Sequence, residues 1–188
     1  MSAFATIVIL LSGTALLLYG AIVYNSLVRL RNDNDRAWAN IDVLLKQRHD
    51  EIPNLVATVK GYMDVERQTL QMVTEARAVS LQAMTVGEKA QAAIQLTGAL
   101  RRLFAVAENY PALKANQNFL ALQNRISELE ERIADRREFF NDQVNTYNTR
   151  IGQIPEVLLA GIMHLHPRLL FQVPEQECRA AAAMDAGC

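Results

Sequence analysis

The feature that most constrains this chain is its beginning. Across the first 28 of 188 residues there is no Asp, Glu, Lys or Arg. The stretch AFATIVILLSGTALLLYGAIVYNSLV supplies about 25 mostly apolar residues, or roughly 38 Å of helix at 1.5 Å per residue. That is long enough to cross a bilayer with some tilt. A cleaved signal sequence is the competing reading. It would carry a Lys or Arg ahead of a shorter apolar run and end in an A-x-A-like site, and this stretch has none of these. Residues 1–28 are therefore expected to be a short N-terminus followed by a retained span, with residues 3–28 in lipid. Arg29, Arg31 and Arg36 crowd the far flank, while MSAF carries no basic side chain. The positive-inside bias then places the N-terminus outside and the rest of the chain in the cytoplasm.

Nothing breaks the helix after the span. Leu27, Leu30, Asn34, Ala37, Ile41, Leu44 and Arg48 recur at alternating three- and four-residue spacing. This is the stripe of one long helix running to about residue 50. A second stripe begins at Ile52 and continues through Val56, Val59, Met63, Glu66, Leu70, Val73 and Arg77, fading near 83–87. A third helix covers about 88–109, with Leu96, Leu100, Leu103 and Ala107 inward, and Tyr110-Pro111 ends it. The fourth keeps near-heptad spacing from Phe119 to Ile151, through Ile126, Ile133, Arg136, Phe140 and Val144, with Gly152 read as its C′ stop. Four amphipathic segments with short connections predict an all-α protein: a transmembrane helix continuing into an antiparallel four-helix bundle over 29–152. A single long coiled coil is disfavoured by the breaks at 50–53, 84–87 and 110–112.

Residues 153–188 form an apolar segment and a tail. IPEVLLAGIMHLHPRLLF is too short in its apolar run to span. It is expected to cap the bundle end, with an interfacial position on the membrane as the alternative. The tail CRAAAAMDAGC has little to pack and is expected to be mobile. Its Cys178 and Cys188 fit no disulfide framework and no zinc spacing.

The charges of KQRHDEIPNLV, at 46–56, pose the main question about chemistry. Asp50 is placed to cap a helix whose first turn holds Pro53. On that reading Arg48, His49, Asp50 and Lys60 decorate an exposed distal corner, an interaction surface. Glu66, Arg77 and Arg136 fall on inward stripes and are expected to form a buried polar layer, paired because an unpaired buried charge is very unfavourable. A di-metal bundle site needs Glu-x-x-His, which is absent, as are Gly-x-Ser-x-Gly, a P-loop and a dinucleotide turn. No catalytic, cofactor or metal residues are therefore assigned. The net charge of −1 offers no field for nucleic acid.

The run YNSLVRLRNDNDRAWANIDVLLKQRHDEIPNLVATVKGY at 24–62, VTEAR at 73–77 and the long LRRLFAVAENYPALKANQNFLALQNRISELEERIADRREFFNDQVNTYNTRI at 100–151 resemble the bacterial LemA family. The resemblance implies a membrane-anchored helical bundle in the bacterial inner membrane with no established enzymatic activity. One branch of that family is associated with building magnetosome membranes. Glu51 departs from the hydrophobic residue usual at its position, and the C-terminus departs from the acidic, phenylalanine-containing tail of the family. The expected function is a non-enzymatic interaction or scaffolding module, acting through a protein partner or self-association. A ligand-binding bundle built on Glu66 and the inward arginines, and a membrane-remodelling oligomer, are the alternatives.

Overall fold

The computed structural model describes residues 3–62 and 66–172. Six helices account for most of them: α1 Ala3–Lys60, α2 Arg67–Gln82, α3 Val86–Ala107, α4 Pro111–Lys114, α5 Gln117–Gly152 and α6 Glu156–Ile162. No strand occurs among the described residues. The tail expected to be mobile, with its two cysteines, lies outside the described residues.

The helix starts and stops follow from local chemistry. Thr85 opens α3 with a reciprocal capping box. Its hydroxyl accepts the Glu88 amide at 3.2 Å, while Glu88 Oε2 accepts the amides of Thr85 and Met84, each at 2.9 Å. These donors, the Thr85 amide foremost, hold the Glu88 carboxyl below its ordinary range. Pro111 begins the one-turn α4, where its missing N–H is harmless. Asn116 Oδ1 accepts the Phe119 amide at 3.0 Å at the head of α5.

The chain divides into two compact units, and α1 and α5 each contribute to both. One unit comprises Met1–Trp38 and Phe140–Arg168. Its core is Val23 and Leu27 of α1, Tyr147 and Ile151 of α5, and Ala160 of α6, joined by Leu30, Leu159, Met163 and Leu165. Trp38 lies against Phe140 with ring centroids 5.6 Å apart. Asn34 is buried, and its Nδ2 donates to the carbonyls of Leu30 and Gln143. The first turns of α1 are different in kind: Phe4, Ile9, Leu10, Leu16 and Leu17 are all exposed. This portion of α1 is long and apolar enough to cross a membrane.

The other unit comprises Ala39–Phe139 with Leu169–Cys188. Ile52, Leu55 and Val59 of α1, Leu70 and Val73 of α2, Leu96, Leu100 and Leu103 of α3, Leu113 of α4 and Phe119 and Ile126 of α5 form one continuous core. Leu44, Leu129 and Ile133 make a smaller cluster.

Two sequence expectations are corrected. The chain does not turn at 50–53. α1 passes through Pro53 and ends at Lys60, and the turn follows, closed by the Tyr62 amide on the Val59 carbonyl at 2.9 Å. The stripe that begins at Ile52 is therefore the end of α1 for its first positions and α2 for its last. Gly152 is not a left-handed C′ residue either: it is the last residue of α5, and no described glycine has positive φ.

Candidate functional site

Proline inside a helix removes one N–H and leaves the carbonyl four residues earlier without its donor. For Pro53 that carbonyl belongs to His49. Here Arg77, reaching across from α2, donates its Nε–H to the His49 carbonyl at 3.3 Å. A side chain on the neighbouring helix replaces the missing backbone donor, and α1 continues for two more turns. Pro53 itself is exposed, so its ring meets solvent rather than packed neighbours. The Arg77 guanidinium has a second effect. Burial first, and this positive charge next, push the His49 imidazole below its ordinary pKa, against weaker opposition from the Asp50 carboxylate. His49 Nε2 is buried without a hydrogen-bond partner among the described residues.

One residue earlier on α1, Arg48 is only 1% exposed. Its Nη1 donates to Glu130 Oε1 at 2.5 Å and to Thr97 Oγ1 at 3.0 Å. Thr97 Oγ1 lies 2.8 Å from Glu130 Oε2 and 2.9 Å from the Ala93 carbonyl, and its single hydrogen serves one of them at a time. Glu130 is thus held by Arg48 of α1 and, when the Thr97 hydroxyl turns to it, by α3 as well. The remaining donors of Arg48, on Nε and Nη2, are buried and meet no protein acceptor among the described residues. A charge-assisted pair of this kind offsets the desolvation of the guanidinium and ties three helices together.

This network lines a cleft of about 510 Å³ that opens between α3 and α5. Arg101 and Arg137 face it along with Arg48, Thr97 and Glu130, and Phe171 closes one side. Phe171 is fully buried, with the Arg137 guanidinium 5.9 Å above its ring. Chemically the cleft is amphoteric: three guanidiniums oppose Glu130 and Glu131. Among the described residues no three His, Cys, Asp or Glu side chains gather as a metal site requires.

The residues singled out from sequence fall in different places. Arg48 and His49 are buried within α1 rather than displayed at a corner, because the helix does not end there. Asp50 is exposed mid-helix, not a cap, and Lys60 is the exposed last residue of α1. The expected layer of Glu66, Arg77 and Arg136 does not assemble. Glu66 is half-buried at the N-cap of α2, Arg77 is half-buried on the His49 carbonyl, and Arg136 is exposed. The inward path on α5 runs from Ile133 through the half-buried Arg137 to Phe140 instead. Glu130 and Thr97 had no distinguishing signal, since Glu130 lies 82 positions from its partner. The family departure Glu51 has a local partner, with its Oε1 3.7 Å from Arg125 Nε.

Described residues that are helical and without strands, one N-terminal helix able to cross a membrane, and ion pairs such as Arg48–Glu130 that join helices define a class of membrane-associated helical proteins. Sequence comparison gives the family within that class. The LemA family profile matches residues 37–185, and the chain belongs to the LemA family. It is similar to the magnetosome protein MamQ 2 of Paramagnetospirillum magneticum, 26% identical over 165 residues, covering 74% of this chain and 61% of that protein. The magnetosome protein MamQ of Magnetospirillum gryphiswaldense matches to the same extent. Protein LemA of Metamycoplasma hominis is 26% identical over 157 residues, covering 81% of this chain and 70% of the relative. The chain thus spans 61% of the length of the MamQ relatives.

Proposed function

We propose that this protein is a single-pass bacterial inner-membrane protein whose helices beyond the span form an antiparallel four-helix bundle on the cytoplasmic side. Its role is that of a non-enzymatic interaction or scaffolding module. The observation that carries this reading is the change of character along one unbroken helix. Up to about Ile22, α1 exposes large apolar side chains, while Leu27, Ala37, Ile41, Leu44, Ile52, Leu55 and Val59 are buried. The same helix serves as anchor and as core member, as a scaffold requires. The joint core of α1, α2, α3 and α5 supports the bundle. Arg29, Arg31 and Arg36 support the orientation. The engagement of Glu130 and Arg77 by structural partners supports a role other than catalysis.

The test is photo-crosslinking in cells from a reactive residue at Leu81 or Ile94, both exposed. A small set of discrete adducts, to another protein or to a second copy, is expected. Absence of adducts at both positions contradicts the module. A ligand-binding reading is favoured by one observation, the unpartnered Arg48 donors beside the 510 Å³ cleft. Native mass spectrometry of the detergent-purified chain tests it through a bound mass that Arg101→Gln removes. A third reading, a membrane-remodelling oligomer, draws on the MamQ relatives, and it predicts that the purified chain self-associates and deforms liposomes.

A further inference from the structure

Helix α6 has two apolar faces, and only one of them is covered. Ala160, with Leu159 and Met163 beside it, packs on Val23 and Leu27 of α1 and on Tyr147 and Ile151 of α5. On the other side Leu158 and Ile162, four residues apart, are 69% and 75% exposed, and Ile154, in the turn that leads into α6, is 86% exposed. Val157 flanks them and is also exposed. What α6 rests on decides what meets its outer face. Val23 and Leu27 belong to the last turns of the uncharged stretch, next to the exposed Ile22 and Tyr24 and just ahead of Arg29. α6 therefore lies against the end of the uncharged stretch of α1, just ahead of its first arginine.

The surroundings hold it there. The single acid of its first turn, Glu156, is buried and paired with Arg150 at 3.1 Å, so it presents little negative charge to lipid. α6 ends in a Schellman motif. The Leu165 amide bonds the Ala160 carbonyl at 2.9 Å and the His164 amide bonds Gly161 at 3.2 Å, with His164 in the left-handed region at φ 50°. Just beyond, Asn148 brackets the Arg168 backbone, donating to its carbonyl at 2.9 Å and accepting its amide at 2.8 Å. The Arg168 side chain bonds Asp35 at 2.6 Å and lies over Tyr147.

We propose that residues 154–162 form an interfacial membrane-docking element whose outer face, Ile154, Leu158 and Ile162, inserts among the lipids beside the span. This rests on the reading of α1 as a membrane anchor. A second protein copy is the weaker occupant, because three side chains fall far short of the ~800 Å² per partner that stable protein interfaces bury. An amphipathic turn beside an existing anchor needs little area, since the anchor already supplies the membrane affinity.

The test uses the full chain with Trp38 replaced by Phe, reconstituted into phosphatidylethanolamine–phosphatidylglycerol liposomes with and without acyl-chain-brominated lipid. A single Trp is introduced by Leu158→Trp, by Leu16→Trp within the span, or by Val43→Trp, an exposed position farther along α1. We expect bromolipid to remove most of the emission at Leu158→Trp, comparably to Leu16→Trp, while Val43→Trp keeps its emission. Quenching at Leu16→Trp with none at Leu158→Trp, and iodide access to the latter, overturns the docking element and leaves the anchor standing. Shielding at Leu158→Trp from both quenchers that fades as protein is diluted into lipid overturns it in favour of contact between copies. Absence of bromolipid quenching at both Leu158→Trp and Leu16→Trp overturns the anchor and the docking element together.

Discussion

If Arg77 stands in for the amide that Pro53 lacks, the two residues must be energetically coupled although they need not touch. Replacing Arg77 by Met keeps most of the aliphatic stem and removes the Nε–H that reaches the His49 carbonyl at 3.3 Å. A hydrogen bond from a charged donor contributes about 1.5–3 kcal/mol, and orphaning a buried acceptor costs about 1–3 kcal/mol. The long distance and the half-buried donor place this one at the low end, so Arg77→Met should destabilise by ~1–2 kcal/mol. In a Pro53→Ala background the amide at position 53 bonds the His49 carbonyl itself. Arg77→Met should then cost under ~0.5 kcal/mol, leaving a coupling of ~1 kcal/mol. Pro53→Ala should stabilise by about 2 kcal/mol in the Arg77→Met background, the ~3 kcal/mol helix-interior penalty of proline less the unfolded-state entropy that proline removes, and by only about 1 kcal/mol with Arg77 present, because Arg77 already supplies the missing donor. The assay is urea unfolding of the four chains in the same micelles, followed by far-ultraviolet circular dichroism at constant m-value. Equal costs of Arg77→Met in both backgrounds would falsify the substitution of side chain for backbone.

Three further outcomes follow from named groups. In the Arg48–Glu130 pair the guanidinium side chain is 1% exposed and the carboxylate 27%. Glu130→Ala, which strands the buried charge, should therefore cost ~3–5 kcal/mol, against ~1–2 kcal/mol for Arg48→Met; the reverse order in unfolding experiments refutes that assignment. His164→Gly relieves a left-handed residue and should raise stability by about 1 kcal/mol, so a lowered thermal midpoint counts against the Schellman end of α6. The folded pKa of His49 lies below its ordinary 6.5, so below pH 6.5 the unfolded chain binds the extra proton. Stability should be complete above that pH, fall as the pH drops through the interval beneath it, and level off below the folded value. His49→Gln should flatten this limb of the stability profile, and an unchanged limb assigns it to other groups.

Much of the architecture was legible because it rests on local pattern. The uncharged start, α3 and α5 follow directly from composition and from three- and four-residue spacing, and the ends of α3 and α5 agree with the structure to within a few residues. Position 53 is the instructive failure. A proline after a charged, cap-like Asp50 reads as a helix boundary by every local rule, yet the group that keeps the helix intact sits on another helix. Arg136 shows the limit of heptad counting: between Ile133 and Phe140 the inward step can fall on 136 or 137, and the helix places Arg137 there. Arg48 fell both on an inward stripe and at the expected exposed corner, and the structure buries it; its partners on α3 and α5 depend on how helices pair across long stretches of sequence. No local signal carries that information.

The claim on which the rest depends is that a single apolar span anchors this chain with its helices on the cytoplasmic side. Carbonate-washed inverted and right-side-out vesicles, each treated with protease, test it directly. The account predicts that the chain stays with the membrane, is cut back to a short anchor fragment in inverted vesicles, and is protected in right-side-out ones. Release by carbonate, or protection in inverted vesicles, would contradict it.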